Sequence, residues 1–466
     1  MTRERVYRWL VPRVVAPLAE RLRLPVWTTV RRLAELQWRS PEELEERALA
    51  RLHPLLEHAE RHVPHYRRLF AEAGIDPRHV KSVADLAGVP ITTKRELRAG
   101  FPGLTTADNV PPSRRQPMMT SGSTGLPFEF YWDRAVLPVL GGTDRFWLGW
   151  SRIAVWHTRI VIASPSYFYE RIKPPRRLHA LANRLVVGER AENLPADQIT
   201  TAGFRSLVER VTARGPYFIR SYPGSLASLA AGLVNDGVPL TSYPRAVVTL
   251  AETLTPANAA RLREVFQCPV VNHYSAWEVP QIAHSCPDNP EALHVNSDRV
   301  IVRVVRPDDT DVAPGETGRV VVTDLANYVM PFINYSAGDL AVAGAQCSCG
   351  RGMPILARLE GRESEMIRTP EGREVSSGAL GQLLTFVIGI IPYVWEYQAV
   401  HTAPGAVTLR VVPTSRFTPG FRASLERGVE EFLGPSMTVT VEPVSAIPLE
   451  PSGKRLIIKS LPAPRA

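Results

Sequence analysis

Short apolar runs alternate with helical stretches through the middle of this chain, and no other feature restricts its fold as much. Strand-like runs fall at Thr158–Ala163, Ala246–Leu250, Pro269–Val271, Val300–Val305 and Arg319–Thr323, with helical stretches at Ser206–Thr212, Leu226–Asn235 and Pro256–Phe266 between several of them. Alternation of this kind predicts a layered α/β core. It begins near residue 118, and Asp308–Gly318 reads as a hairpin-like turn between two strands. Upstream, Ser40-Pro41-Glu42-Glu43 is a helix start: Ser40 caps, Pro41 suits the first turn and Glu43 closes a capping box. Leu44, Ala48, Leu52, Leu55 and Leu56 then recur at helical spacing. Tyr66–Arg98 reads as short helices, and 99–117 as a Pro-rich connection.

The pattern changes again near residue 361. Gly361-Arg362 leads into a polar stretch with Pro370-Glu371-Gly372. Strand-like Val394–His401 and Ala406–Val412, helix-like Pro419–Leu433 and strand-like Met437–Val444 follow, the β-β-α-β order of a small α+β domain. The expected division is therefore a helical extension over 1–40, a large α/β domain over 41–361 and a small domain over 362–466. A chain of 466 residues has the length for these parts.

Composition removes several function classes. With 44% hydrophobic and 22% charged residues the chain is globular, and four cysteines cannot make a disulfide framework. No run of 18 apolar residues suggests a membrane span. The net charge of +9 is spread along the chain, without a basic tail or a zinc-finger spacing, so nucleic acid is not the expected partner. Attraction to anionic small molecules such as nucleotides explains the balance equally well. Only five residues are Lys, among them Lys94 and Lys454. The Arg-rich N-terminus lacks an uninterrupted apolar region and a clear cleavage site, so a cytoplasmic protein is expected. It reads as an amphipathic helix packed on the body, with peripheral contact to anionic lipid as the alternative.

Five segments carry chemistry. Met119-Thr120-Ser121-Gly122-Ser123-Thr124-Gly125-Leu126-Pro127 alternates hydroxyls with glycines, a loop whose backbone N–H groups can cradle phosphate although it is not a Walker loop. Tyr274-Ser275-Ala276-Trp277-Glu278 supplies a ring to stack on a purine and a carboxylate for Mg2+. Asp339 follows a Gly turn and suits ribose hydroxyls, Arg362 opens the small domain, and Lys454 sits on a Gly turn near the end.

In their order and spacing these segments resemble the adenylate-forming superfamily of acyl- and aryl-CoA synthetases. The chain looks most like the phenylacetate–CoA ligase branch and its capsule-biosynthesis relatives, over about residue 45 to the end. The resemblance implies a large N-terminal adenylate-forming domain of layered sheets and helices and a small mobile C-terminal α+β domain. It implies that Thr120, Ser121, Gly122, Ser123, Thr124 and Gly125 form the phosphate loop, that Ala251-Glu252-Thr253-Leu254 lines the adenine site with Tyr274 and Ser275, that Asp339 holds ribose, and that Arg362 marks the hinge. Lys454, Glu278 and Thr124 are the implied catalytic residues, and ATP, Mg2+ on Glu278 and CoA the implied cofactors. Pro90–Leu97 resembles the branch's Pro-Ile-Thr-Lys segment. Leu126, Ser275, Asn334, Ser336 and Glu365 depart from the family pattern and bear on turnover and on the choice of acid.

The expected activity is ATP-dependent conversion of a small carboxylic acid to an acyl-adenylate, followed by thioester formation with CoA. Delivery to an amine or hydroxyl in polysaccharide or secondary-metabolite biosynthesis is the near alternative, and a catalytically weak nucleotide-binding scaffold the distant one. A homodimer is an open expectation. Cys286, Cys347, Cys349 and His294 would make a tetrahedral structural zinc site, with His284 as an alternative fourth ligand and free buried cysteines as the plain reading. Cys268 reads as core. Phe130, Tyr131, Phe146, Trp147, Trp150 and Trp277 crowd the region of the expected pocket, where core packing explains most of them and aromatic walls would favour a flat acid.

Overall fold

The computed structural model describes residues 13–14, 17, 21, 25–120, 128–163, 190–195, 198–450 and 454–460. Its spine is a twelve-stranded sheet. Five strands, Arg190–Pro195, Thr158–Ala163, Tyr217–Ser221, Val247–Leu250 and Val270–Tyr274, run parallel in that spatial order. From Val270–Tyr274 onward the sheet turns antiparallel, through Ala283–Ser285, Leu293–Val295, Ile355–Arg362, Tyr335–Ala343, Thr317–Asp324 and Val300–Val305. The two-residue strand Thr92–Thr93 joins Tyr335–Ala343 on the side.

The parallel strands are covered on both faces. Ile219, Val247 and Val270 point into a cluster with Phe204, Leu226 and Leu262 of the crossover helices Thr201–Thr212, Pro223–Asn235 and Pro256–Phe266. Their neighbours Phe218, Val248 and Val271 point the other way, onto Leu148 of helix Leu137–Trp150. Period-two alternation with apolar residues on both sides is why these runs read as continuous apolar segments. Tyr217–Ser221 escapes that reading because Arg220 interrupts it, yet all five residues are buried.

The capping box at Ser40 is formed, and Leu44, Ala48, Leu52, Leu55 and Leu56 of helix Pro41–His62 are buried. Helix Pro25–Leu36 packs against Leu137–Trp150, so the described part of the N-terminal extension lies on the large domain. One expectation is corrected: the Gly turn before Asp339 is part of strand Tyr335–Ala343, which absorbs Gly338 at φ 79°. Strand Ile355–Arg362 pairs Arg362 with Asp339, which puts Arg362 on the large-domain sheet.

The small domain has a four-stranded sheet in the order Thr438–Pro443, Ala406–Pro413, Val394–Ala403, Ile458–Lys459, under helix Pro419–Leu433. Leu425, Val429 and Leu433 of that helix meet Leu409, Val411 and Val441 of the sheet. No helix among the described residues is long and apolar enough to cross a membrane.

Candidate active site

The strand at which the sheet changes from parallel to antiparallel ends at Tyr274, and the polar groups gather there. Tyr274 donates its hydroxyl to Asp339 Oδ2 at 2.8 Å. Arg362 Nε lies 3.1 Å from Asp339 Oδ1, and Arg362 Nη2 donates to the Ala337 carbonyl at 2.8 Å. Asp339 is thus held from two sides, by a hydroxyl on one oxygen and a guanidinium on the other. Burial and the neighbouring Asp339 hold the Tyr274 hydroxyl well above its ordinary pKa, so it stays a donor.

Glu278 is buried and takes two contacts on Oε1: the Lys94 ammonium at 2.9 Å and the Tyr335 hydroxyl at 3.1 Å. Sequence reasoning left Lys94 out of the site, although the segment that carries it had been singled out. The backbone explains its arrival. Thr92–Thr93 adds to the sheet beside Tyr335–Ser336, and Thr93 caps helix Lys94–Gly100 in a box with Glu96. Asn334, one of the departures from the family pattern, braces this approach. At φ 46° it donates Nδ2 to the Leu86 and Val89 carbonyls at 2.7 and 2.6 Å, and its own carbonyl accepts from Thr92 N at 2.9 Å. Ser275, another departure, accepts from the Gln281 amide at 3.1 Å and so tightens the turn around Glu278.

The expected phosphate loop lies mostly outside the described residues: Ser121, Gly122, Ser123, Thr124, Gly125 and Leu126 are not described, and Thr120 is. Thr120 closes the loop's base. Its N–H donates to the Phe128 carbonyl at 2.9 Å and its hydroxyl accepts from Phe128 N at 3.2 Å, continuing the antiparallel pair Arg115–Met119 and Glu129–Asp133.

Lys454 reaches this region from the small domain. Its chain is anchored by strand Ile458–Lys459 and by Gln398, which donates to the Leu456 carbonyl at 2.9 Å. The charges that act on Lys454 are Arg362, Glu252, Asp339 and Glu365, and burial lowers its ammonium pKa. Glu365 shares the pocket, where burial pushes its carboxyl up to about 7. Ala251 turns the chain at φ 66°, and Glu252 after it accepts the Gly224 N–H on one oxygen and the Arg455 N–H on the other, each at 2.8 Å.

Cys286, His294, Cys347 and Cys349 form a separate cluster whose ligand atoms all lie within 4.8 Å of one another. His294 Nε2 is 3.3 Å from Cys349 Sγ, and its Nδ1 is 3.2 Å from the Met353 carbonyl, which orients the ring. His284 is not in the cluster; its buried ring stacks on Trp147 at 5.2 Å. Three thiols and an imidazole at this spacing fit tetrahedral zinc.

The aromatic residues divide. Phe130 packs in the core with Phe128 and Phe332, while Phe146, Trp147 and Trp150 wall the Cys/His side of the sheet. Trp277 stacks beside Trp132, whose indole N–H donates to the Trp277 carbonyl at 2.9 Å.

The two-domain architecture, with its large mixed sheet and its small α+β domain, is the fold of the adenylate-forming enzymes. Two-state likeness makes this concrete. The structure matches 2-hydroxyisobutyryl-CoA ligase in its postadenylation state with a TM-score of 0.73, at 21% identity over 91% of this chain and 90% of that one. Against the same enzyme in its thioesterification state the TM-score is 0.59, at 22% identity over 91% of each chain. In sequence the chain is similar to the phenylacetate-coenzyme A ligase of Thermus thermophilus, 24% identical over 448 residues, 90% of this chain and 97% of the relative. It is also similar to the phenylacetate-coenzyme A ligase of Escherichia coli, 27% identical over 346 residues, 72% of this chain and 75% of the relative. No family model matches the chain. The resemblance to acyl- and aryl-CoA synthetases is borne out in both kinds of comparison.

Proposed function

We propose that this protein activates a small carboxylic acid with ATP and passes the acyl group to CoA. The observation that carries the reading is the arrival of Lys454, from the small domain, near Asp339 and Arg362 of the large-domain sheet, with Glu365 of the connecting segment beside it. The substrate carboxylate attacks the α-phosphorus of ATP, an acyl–phosphate anhydride forms and pyrophosphate leaves. Two anions meet in that step, so positive charge is needed where the transition state is most negative. Lys454 supplies it as a compact ammonium. Asp339 accepts from ribose hydroxyls, and Arg362 holds Asp339 in place. In the second step the CoA thiolate attacks the acyl carbonyl, and AMP leaves.

Glu278 is the group suited to hold Mg2+, a hard cation that takes one carboxylate together with nucleotide phosphates. When bound, the ion neutralises phosphate charge. Lys94 and Tyr335 aim the Glu278 carboxylate meanwhile. Cys286, His294, Cys347 and Cys349 would hold a structural zinc ion, whose role would be to fasten the hairpin of strands Ala283–Ser285 and Leu293–Val295 to the loop before strand Ile355–Arg362. The relatives named above support an aryl or acyl acid as the substrate.

The test is acid-dependent pyrophosphate release from ATP and Mg2+ over a panel of aryl and acyl carboxylates, with and without CoA. Release that rises with one acid and turns over repeatedly only with CoA is the expected result. Release indifferent to CoA would move the acceptor to an amine or a hydroxyl. Silence across the panel, in protein shown to bind ATP, would overturn the ligase reading.

A further inference from the structure

We infer that Glu252 is a positioning residue for Lys454: its carboxylate fastens the small domain in the arrangement that forms the acyl-adenylate, and releases it before the thioester forms. This rests on the ligase reading above. By its place in the chain Glu252 belongs to a segment expected to line adenine, but the geometry gives its carboxylate another task. Both oxygens are occupied by backbone donors on opposite sides of the domain junction. One receives the Gly224 N–H at 2.8 Å, in the first turn of helix Pro223–Asn235, where helix N–H groups have no partner within the helix. The other receives the Arg455 N–H at 2.8 Å, in the residue directly after Lys454.

Arg455 locks the same joint from its side. Its Nη1 donates to the Gly224 carbonyl at 2.6 Å and its Nε to the Ile447 carbonyl at 2.9 Å. Gly224 makes this approach feasible. A Cβ there would lie 3.0 Å from Glu252 Oε2 and 3.2 Å from both Cβ and Cδ of Arg455. Three residues from three separate segments thus meet at one point, and the point adjoins the lysine that the chemistry needs.

The consequence is local. Consecutive Cα atoms are about 3.8 Å apart across a rigid peptide, so holding the N–H of residue 455 fixes the root of the Lys454 side chain. The rest of the junction does not depend on Glu252. Arg261 donates to the Ile391 carbonyl at 2.8 Å and to the Trp395 carbonyl, and Ser228 bonds Glu396. Removing the Glu252 carboxylate therefore loosens one joint among several: the small domain stays docked through the others but samples a wider range of positions, and the root of Lys454 moves with it. A buried carboxylate also suits a contact that must break. Burial raises its pKa, while the Gly224 and Arg455 N–H donors, and after them the Lys454 and Arg455 charges, favour its charged form. The better match to the postadenylation than to the thioesterification state of a solved relative is consistent with a joint made in the first half-reaction.

The experiment separates the half-reactions in the full-length enzyme, for Glu252→Ala and Glu252→Gln. Acid-dependent exchange of pyrophosphate into ATP reads the first, and CoA-dependent consumption of preformed acyl-adenylate reads the second. For Glu252→Ala the exchange kcat should fall about ten- to hundredfold, the size of losing a charge-assisted hydrogen bond at the reacting geometry. The KM for ATP should stay within about threefold and the second half-reaction within about twofold. Glu252→Gln, which keeps one acceptor oxygen, should lie between. A raised KM for ATP at unchanged kcat would make Glu252 an adenine contact, and an equal fall in both half-reactions would make it a general structural residue; either result overturns the proposal. If the wild type shows no exchange, the ligase reading fails separately, and closure decides this one. Dyes on V234C and V387C, both exposed and one on each domain, report the interdomain distance without turnover. A broadened distance distribution in Glu252→Ala supports the joint, and an unchanged one overturns it.

Discussion

The groove around Lys454 and the cluster around Cys347 are built on opposite plans. The first draws charged groups from both domains: Asp339 and Arg362 from the large sheet, Lys454 from the small domain. Its contacts are ion pairs and single hydrogen bonds, with Arg362 at 35% and Asp339 at 17% side-chain exposure. The second draws four ligand atoms from one domain, three of the four residues buried: Cys286 follows strand Ala283–Ser285, His294 sits within strand Leu293–Val295, and Cys347 and Cys349 lie in the loop before strand Ile355–Arg362. Arg351 binds that cluster to the N-terminal segment, donating to Gln37 Oε1 and to Asp288 Oδ2 at 3.0 Å each, and stacking on Trp38 and Trp150. On the proposed function, the first site has to come apart and is assembled from separate contacts across the junction, whereas the second, if it holds zinc, has to stay and is assembled within one domain.

The largest effect should test the mobile side. Lys454→Ala is expected to slow acid-dependent adenylation by more than about 100-fold, since it removes a charge aimed at the transition state, and to leave ATP affinity within about threefold. The thermal midpoint should hardly move. If it falls by as much as in the cysteine variant below, Lys454 is part of the static framework and the contrast fails.

The static side should behave in the opposite way. Cys347→Ser should take bound zinc from one ion per chain to none by elemental analysis, and lower the midpoint by about 5 °C or more. Treatment of the wild type with a strong chelator should do the same. Zinc-free protein of unchanged midpoint would return the four residues to ordinary core.

How much of this was legible in advance follows the same division. Strands Thr158–Ala163 and Val300–Val305 and helices Pro256–Phe266 and Pro419–Leu433 have the bounds expected from the sequence. Each is a locally consistent pattern of apolar spacing and caps. Tyr274, Glu278, Asp339, Arg362 and Lys454 were singled out through motif order, and the structure brings them into one region, where their roles are those proposed above. Cys286 and Cys347 stand far apart in the chain, and their approach to 3.8 Å rests on strands pairing at long range. What escaped was set by tertiary contact. Lys94 needed Thr92–Thr93 to add to a strand more than 240 residues away, as the pairing of Thr92 with Tyr335 shows. Gly338 looked like a turn because a positive-φ glycine has the same local signature inside an irregular strand. Glu252 was assigned by segment, and only the positions of Gly224 and Arg455 show what its oxygens accept.

The Lys94–Glu278 pair lies between the two plans, a buried carboxylate held by a partly exposed ammonium. Lys94→Ala leaves that carboxylate with Tyr335 alone, and the midpoint should fall by about 3–5 °C. The double variant Lys94→Ala/Glu278→Gln should recover most of the loss, because the cost comes from the unpaired charge. Equal midpoints in the single and double variants would mean that the ammonium contributes packing rather than charge.

The smallest effect sharpens the comparison most, because it acts on the hinge itself. Burial holds the Glu365 carboxyl at about 7, against an ordinary value of 4.5. Between those values the folded protein keeps a proton that the unfolded chain has released, so this group's contribution to stability falls as pH rises from about 4.5 to 7 and is level above. Glu365→Gln stays neutral throughout. Its midpoint relative to the wild type should be near zero difference at pH 5 and about 1–3 °C higher at pH 8. The gain is small because Glu365 lies where the domains separate: opening the hinge hydrates the carboxylate at less cost than unfolding the chain. The same argument makes the wild type open more readily as pH rises, so its interdomain distance should widen from pH 6 to pH 8 while that of Glu365→Gln stays constant. Parallel widening in both proteins would place the titrating group elsewhere in the groove.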